Sequence, residues 1–370
     1  MIVTVSTVKD TLPNIQRFVE GNLAGGADHL VVFLDQGGNR AVESWLDSRP
    51  EVTAVVTNTA YWNNNRPHLL NKRQRVNANV AKAALAFSPW ADWLFHVDAD
   101  EVVRIDRAAL DAVPAHVRGV VLRPLEVVSV LHPDGEPRQF KRLLEPDELD
   151  LLHQLGVLAE PTNSRYFRSH VIGKVGIRPR LDVWLGIHKA VNRDDERIFV
   201  KPDPGLRLLH YESYSGDDFV RKWTNMVSSG PKMHFGEHRQ VLADGLKTLV
   251  EGDLPPETKA RYLERVYRTY MEDPVADLDR LGLLVEVDVR RPTHTPTPLP
   301  DADRALLRER LDLLRDVDKL LFIPDSPDAE TLGPRLRDLY GARPVRPTRA
   351  EQGRRRVRRV VDAVRSRSGR

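Results

Sequence analysis

Two periodicities alternate through the first hundred residues. Ile2 to Ser6, His29 to Leu34, Val52 to Thr57 and Trp93 to Val97 are short apolar runs rich in β-branched or aromatic residues, and they predict strands. Between them, Leu12 to Leu23, Arg40 to Ser48 and Lys72 to Phe87 carry helical periodicity. Strands alternating with helices predict parallel βαβ units, and so an open, mostly parallel α/β sheet with helices on both faces. Such sheets bind ligands beyond the carboxyl ends of their strands. Those ends are Ser6 to Asp10, Asp35 to Asn39 and His96 to Glu101, and all three are polar.

Beyond Asp100 the pattern is mixed. Arg118 to Val130 reads as one or two strands, Glu145 to Leu158 as a helix, Arg165 to Ala190 as extended and loop-rich, and Leu206 to His210 as a strand. From Asp217 the chain is mainly helical, through Gln240 to Leu249 and Pro256 to Met271. Residues 292–300 are a proline-spaced stretch of the kind that forms an extended, semi-rigid linker, followed by a charged amphipathic helix from Asp303 to Leu321. The organisation expected is a catalytic-type α/β domain at 1–235, a mainly helical extension at 236–345 and an arginine-rich tail at 346–370.

The chain has 370 residues, 41% hydrophobic and 29% charged, which excludes a wholly disordered or fibrous protein. No apolar run approaches the roughly 20 residues of a membrane-spanning helix, and the first residues carry no secretory pattern. A cytoplasmic protein is the expectation. There is no cysteine, so disulfides, thiolate metal sites and cysteine nucleophiles are all excluded. The formal charge of +3 conceals an asymmetry: Gly353 to Arg370 holds eight arginines and one aspartate, leaving the rest of the chain at −4. Val357, Val360, Val361 and Val364 share one helix face there, a pattern that suits a frayed tail or a contact with an anionic membrane surface.

The sharpest chemical signal is Asp98-Ala99-Asp100-Glu101, three acids in four residues at the end of an apolar strand. In an extended chain Asp98 and Asp100 share a side and Glu101 points away. Two carboxylates held together need a cation or a proton between them, and Mg²⁺ or Mn²⁺ is suited to that place. Asp182, Glu145 and Asp147 are acids in the stretch after the motif, and Asp182 is foremost among them as a candidate general base. Tyr61, Trp62, Trp184, Tyr211 and Trp223 read mainly as core, with Trp184 the foremost candidate for a ring on which a ligand could pack. Lys174, Arg178 and Arg180 read as a solvated basic loop with some capacity for phosphate. Neither a GxGxxG turn nor a GxxxxGK[ST] loop is present.

The acidic motif behind a βαβα half without a glycine-rich loop resembles the DxD site of GT-A glycosyltransferases, closest to the family-2-like bacterial group whose motif continues as DxDE. Val8-Lys9-Asp10 resembles that group's "vKNE" loop, with Asp10-Thr11 standing in place of Asn-Glu, and Phe33 to Asn39 resembles its second-strand acidic turn. Gly186-Ile187-His188, and His210-Tyr211 with Ser215, Phe219 and Lys222, look like its "G-x-H" and "H-Y-x-x-x-S…F…K" signatures. The resemblance spans about residues 1–225. It implies that Thr7, Lys9, Asp10 and Asp35 border the base and ribose of a nucleotide sugar, with Lys72, Gln74 and Asn77 on the next helix. Asp98 would reach the ribose or the metal, and Asp100 would ligate a Mn²⁺ or Mg²⁺ bridging the donor's phosphates. His210 and His188 would complete the metal shell, and Glu101 would orient a loop or touch the acceptor.

The activity so implied is metal-dependent sugar transfer from a nucleotide-diphosphate-sugar donor to a glycan, lipid-linked or small-molecule hydroxyl acceptor, at most peripheral to the inner face of the membrane. One rival is a nucleotidyltransferase, which also uses acidic metal sites but would carry a glycine in the first loop. The other is a non-catalytic scaffold binding membrane or, less suitably, nucleic acid through the arginine tail.

Overall fold

The computed structural model describes residues 1–228, 237–327 and 329–340. They belong to two units, Met1–Ala329 and Glu330–Arg370. Of the second, the described part is one helix, Leu332–Tyr340; the arginine tail lies outside the described residues. Among the described residues no helix is long and apolar enough to cross a membrane.

The strands of the first unit are Ile2–Val8 (β1), His29–Asp35 (β2), Val52–Thr57 (β3), Trp93–His96 (β4), Glu101–Ile105 (β5), Gly119–Val127 (β6), Gln139–Arg142 (β7), Lys174–Ile177 (β8), Trp184–Leu185 (β9), Ala190–Val191 (β10), Lys201–His210 (β11) and Leu284–Glu286 (β12). β9 and β10 form a separate pair, and the other ten make one open sheet. Its path runs β12-β7-β6-β8-β4-β1-β2-β3, with β11 joined to β6 and β5 joined to β11. The β4-β1-β2-β3 half is parallel throughout. The remainder adds antiparallel neighbours, except that β11 runs parallel to β6.

Every residue of β1 and β2 is buried, as expected of parallel strands covered on both faces. Helices Leu12–Ala24 (α1) and Arg40–Asp47 (α2) supply Ile15, Phe18, Leu23, Val42 and Leu46 to a core containing the even-numbered Leu30, Val32 and Leu34 of β2. The opposite face carries Thr7 and Phe33, against Asn77 of helix Leu70–Leu85 (α3) and Tyr61 respectively. The chain steps outward from β1 to β2 to β3 and then returns to the far side of β1 with β4. That reversal opens a crevice at the carboxyl ends of β1 and β4.

The later helices are Arg107–Asp111 (α4), Pro146–Gln154 (α5), Asn163–Tyr166 (α6), Gly216–Ser228 (α7), Glu237–Glu251 (α8), Pro256–Tyr270 (α9), Val275–Arg280 (α10) and Asp301–Leu313 (α11). Asp106 caps α4 by accepting from the amides of Ala108 and Ala109, and the Ser215 hydroxyl accepts from the Asp218 amide at the start of α7. Phe219 and Trp223 of α7 pack with Leu246 of α8 and with Leu263 and Tyr267 of α9. The expected helical extension also contributes β12 to the sheet edge. The proline-spaced stretch lies along the body: the Thr293 amide donates to Ala24 O at 2.8 Å, His294 Nε2 lies 3.0 Å from Asp28 Oδ1, and Leu299 is buried.

Asp28 anchors both that strap and the first strand. Its buried carboxylate accepts from the Ile2 amide at 2.7 Å and from both Arg107 guanidinium nitrogens at 3.0 Å. Burial works to raise the Asp28 pKa, but Arg107, the Ile2 amide and His294 outweigh it and leave it below 3.8. Its stabilisation is therefore complete above the unfolded-state value and is lost as pH falls through the lowered folded value. Asp28→Asn should cost about 3 kcal/mol near neutral pH and flatten the acid limb of the stability curve, as read by urea melts between pH 3 and 7.

Candidate active site

The strand predicted over Trp93 to Val97 stops at His96, and residues 97–100 form a turn closed by the Glu101 amide on Asp98 O at 3.1 Å. This corrects the extended reading of the motif. Glu101 does not point away from Asp98. Its carboxylate returns to accept the Asp98 amide at 2.7 Å, and Lys174 Nζ stands 2.5 Å from Asp98 and 3.7 Å from Glu101. Glu101 is fully buried, so it orients the loop and presents no surface to an acceptor. Lys174, expected in a solvated loop, is also fully buried, because β8 places it under the acids.

Strand register builds the rest. Glu101 of β5 pairs with His210 of β11, His210 with Glu126 of β6, and Glu126 with Lys141 of β7. Residues paired in this way share a face, so a row of alternating charge crosses four adjacent strands. All four are buried, and their opposite-face neighbours Val102, Leu209, Leu125, Val127 and Phe140 form an apolar cluster. Lys141 stands 2.7 Å from Glu126 and 2.9 Å from Asp273, which follows α9.

Asp100 and Glu212 meet at the open end of this row. Lys222 of α7 lies 2.6 Å from Asp100 and 3.0 Å from Glu212, and His210 Nε2 lies 3.7 Å from each carboxylate. Burial pushes the His210 pKa down, but Asp100, Glu101 and Glu212 outweigh it and raise it to about 9. Burial works to raise Asp100, yet Lys222 and His210 hold it well below the usual carboxylate range. Glu101, with its weaker compensation, is raised by burial. His170 stacks on His210 with ring centroids 5.3 Å apart, and burial, with His210 and Lys174 nearby, lowers it to about 4.

The residues expected to border a nucleotide lie at the neighbouring strand ends. Asn77 donates to the Thr7 hydroxyl at 2.9 Å, and Gln74 to Asp98 at 2.6 Å. Lys9 donates to Gln36 at 2.9 Å, and Asp10 accepts from Asn14 and Arg221 at 2.8 Å each. Asp35 is held by Arg66 through both oxygens, at 2.8 and 2.9 Å, and by Arg73 at 3.0 Å. Lys72 is exposed.

No protein-family model matches this chain, and no curated protein matches it. Solved structures do align with it. The crystal structure of HddC from Yersinia pseudotuberculosis is 10% identical with a TM-score of 0.28, over 60% of this chain and 96% of that one. HddC complexed with GMP-PN is 9% identical with a TM-score of 0.25, over 60% and 97%. S. aureus TarS is 13% identical with a TM-score of 0.27, over 89% of this chain and 55% of TarS. At such scores the likeness says nothing of this chain's chemistry.

Among the described residues two sets of side chains have ligand atoms close enough to share a metal ion: Asp100, His210 and Glu212, and Glu101, His170 and His210. Neither set includes Asp98, which is turned to Gln74 and Lys174, nor His188, whose Nδ1 lies 3.2 Å from Gly173 O. Glu212 and His170 stand in their places. In the second set, Glu101 Oε1 and His170 Nδ1 are buried without a hydrogen-bond partner. Carboxylate oxygens with imidazole nitrogens suit Mn²⁺ better than Mg²⁺, which prefers oxygen alone. The donor set fits the ion.

Other expectations are corrected by burial. Trp184 lies in β9 with Lys82 Nζ 5.4 Å from its ring centre, and Tyr61, Trp62, Tyr211 and Trp223 are likewise buried, so none of the five is an open sugar platform. Asp182 is exposed and paired with Arg193 at 3.2 Å, with no hydrogen bond or ion pair to the acid cluster. Glu126, Ser169 and His170 carried no recognisable motif; strand pairing brings Glu126 to His210, and the loop before β8 brings Ser169 and His170 there.

Removing the cation beneath the turn should expose the cost of the buried acids. Lys174→Met should destabilise the protein by about 3–5 kcal/mol, and adding Asp98→Asn should return part of that loss. Urea melts of the two single variants and the double variant measure the coupling; strict additivity would refute the pairing.

Proposed function

We propose that the chain transfers a sugar from a nucleotide-diphosphate donor to a hydroxyl acceptor, assisted by a divalent ion, Mn²⁺ before Mg²⁺. The observation that carries this reading is the convergence of Asp100, His210 and Glu212 at the strand ends of an open α/β sheet, beside the crevice where β1 and β4 diverge. The motif resemblance supplies the reaction class. Asp100, Glu212 and His210 Nε2 would hold the ion, which acts as a Lewis acid on the diphosphate that departs from the sugar.

The chain's own residues then have assignable tasks. Lys222 holds Asp100 and Glu212 together, and its ammonium would offset charge developing on a leaving diphosphate. Gln74 and Lys174 fix the Asp98 carboxylate, which leaves that residue to orient the turn or meet the ribose. Thr7 and Asn77 line the adjacent strand end, where they would border the base. Asp35 would reach the nucleotide once Arg66 yields one of its two contacts. The acceptor class is a glycan, a lipid-linked saccharide or a small molecule, and the arginine tail suits attachment to anionic lipid at a cytoplasmic membrane face.

Asp100→Asn keeps the shape of a ligand and removes its charge. Mn²⁺-dependent binding of a nucleoside diphosphate, measured by calorimetry, should fall at least tenfold, about 1.4 kcal/mol; unchanged affinity would sink the assignment. His210→Ala should weaken Mn²⁺ binding more than His188→Ala does. For the tail, truncation after Arg349 should leave turnover on a soluble acceptor intact while reducing co-sedimentation with phosphatidylglycerol vesicles at low salt.

A further inference from the structure

Glu126, Ser169 and His210 form a hydrogen-bonded chain in which the proton positions follow from counting donors. The buried Glu126 carboxylate receives the Ser169 amide at 2.7 Å and the Ser169 hydroxyl at 2.5 Å on Oε1. On Oε2 it receives the Arg168 amide at 2.8 Å and the Lys141 ammonium at 2.7 Å. Beside Lys141 the carboxylate is ionised and has no proton to offer. The single hydroxyl hydrogen of Ser169 is therefore committed to Glu126, and towards His210 its oxygen can only accept. His210 Nδ1 lies 2.8 Å from that oxygen. The nitrogen must carry a hydrogen.

We infer that Glu126 and Ser169 are positioning residues that hold a proton on Nδ1 of His210, so that Nε2 is the ring nitrogen that would give up its proton to ligate a cation. Nε2 is the atom that faces Asp100 and Glu212, and His210 belongs to both candidate donor sets. Metal-binding histidines generally donate their second N–H to a carboxylate or carbonyl, which sets the tautomer and strengthens the ligand. Here a serine hydroxyl relays that bond to a carboxylate one strand away. The device is itself tied down: Arg168 donates to the carbonyls of Met271 and Glu272 at 3.1 Å each and pairs with Asp273 at 3.1 Å. The end of α9 thus holds the Ser169 segment beneath His210.

The identity of the cation rests on the proposed function; the proton position does not. The test uses the full chain with ¹⁵N-labelled histidine and the variants Ser169→Ala and Ser169→Thr. In the metal-free wild type, NMR should show an exchange-protected His210 Nδ1–H, lost in Ser169→Ala and kept in Ser169→Thr, which retains the hydroxyl. In Mn²⁺ titrations followed by EPR, Ser169→Ala should bind at least tenfold more weakly than wild type, with the threonine variant recovering most of the loss. A purely structural role would change melting temperature without this hydroxyl-dependent split. Wild-type protein that lacks a protected Nδ1–H overturns the inference, even if the alanine variant does not fold. So does an alanine variant with an unaltered His210 signal and unaltered affinity. If wild type shows the protected proton yet binds no Mn²⁺, the inference stands and the metal-dependent reading of the site fails.

Discussion

A charge taken out of water must find an opposite charge and enough hydrogen bonds, or it must neutralise. Most of this site follows from that requirement. Lys141 and Lys174 are wholly buried, as are Glu101 and Glu126, and each lies beside a charge of the other sign. The row Glu101, His210, Glu126 and Lys141 is possible because four strands bring alternating signs into register. A slip of one residue in β11 would carry His210 to the apolar face and put Leu209 among the carboxylates.

The same constraint links distant parts of the chain. Asp273, after the ninth helix, completes the shell of Lys141, and Lys222 of the seventh helix neutralises Asp100 and Glu212. The segment beyond the parallel half therefore supplies counter-charges to Lys141 and Asp100, which precede Asp273 and Lys222 by more than a hundred positions. Asp28 repeats the arrangement at the other end of the sheet, where one buried carboxylate joins the first strand, Arg107 and the strap at His294. In each anchor a charge joins segments far apart in the chain.

The cluster is close to charge balance with its own lysines. Lys222 lies between Asp100 and Glu212, so a divalent ion bound by these carboxylates would have to displace that ammonium. A site built in this way is preorganised before any ligand arrives. Its cations already counter the like-charge repulsion that would otherwise spread the acids apart.

Alternation of periodicity in the first hundred residues was enough to determine the βαβ units, since each strand and helix there buries a face that its own local pattern declares. The candidate position of the site followed as well, because three polar strand ends of a parallel sheet must share one edge. Asp98, Asp100, His210 and Lys222 were all legible as candidates. What those acids contact was decided only by tertiary structure. The turn at 97–100 is closed by a side chain three residues on, so the extended geometry that would have parted Glu101 from Asp98 never forms. Glu126, Ser169 and His170 have no local signature; strand pairing joins Glu126 to His210, and long-range side-chain contacts from the loop before β8 join the other two. Lys174 reads as solvated by sequence because lysine usually is; the sheet buries it beside two carboxylates, Asp98 and Glu101, whose charge it offsets. Local pattern encodes which face an element hides, whereas the partners of a buried charge depend on which strands become neighbours.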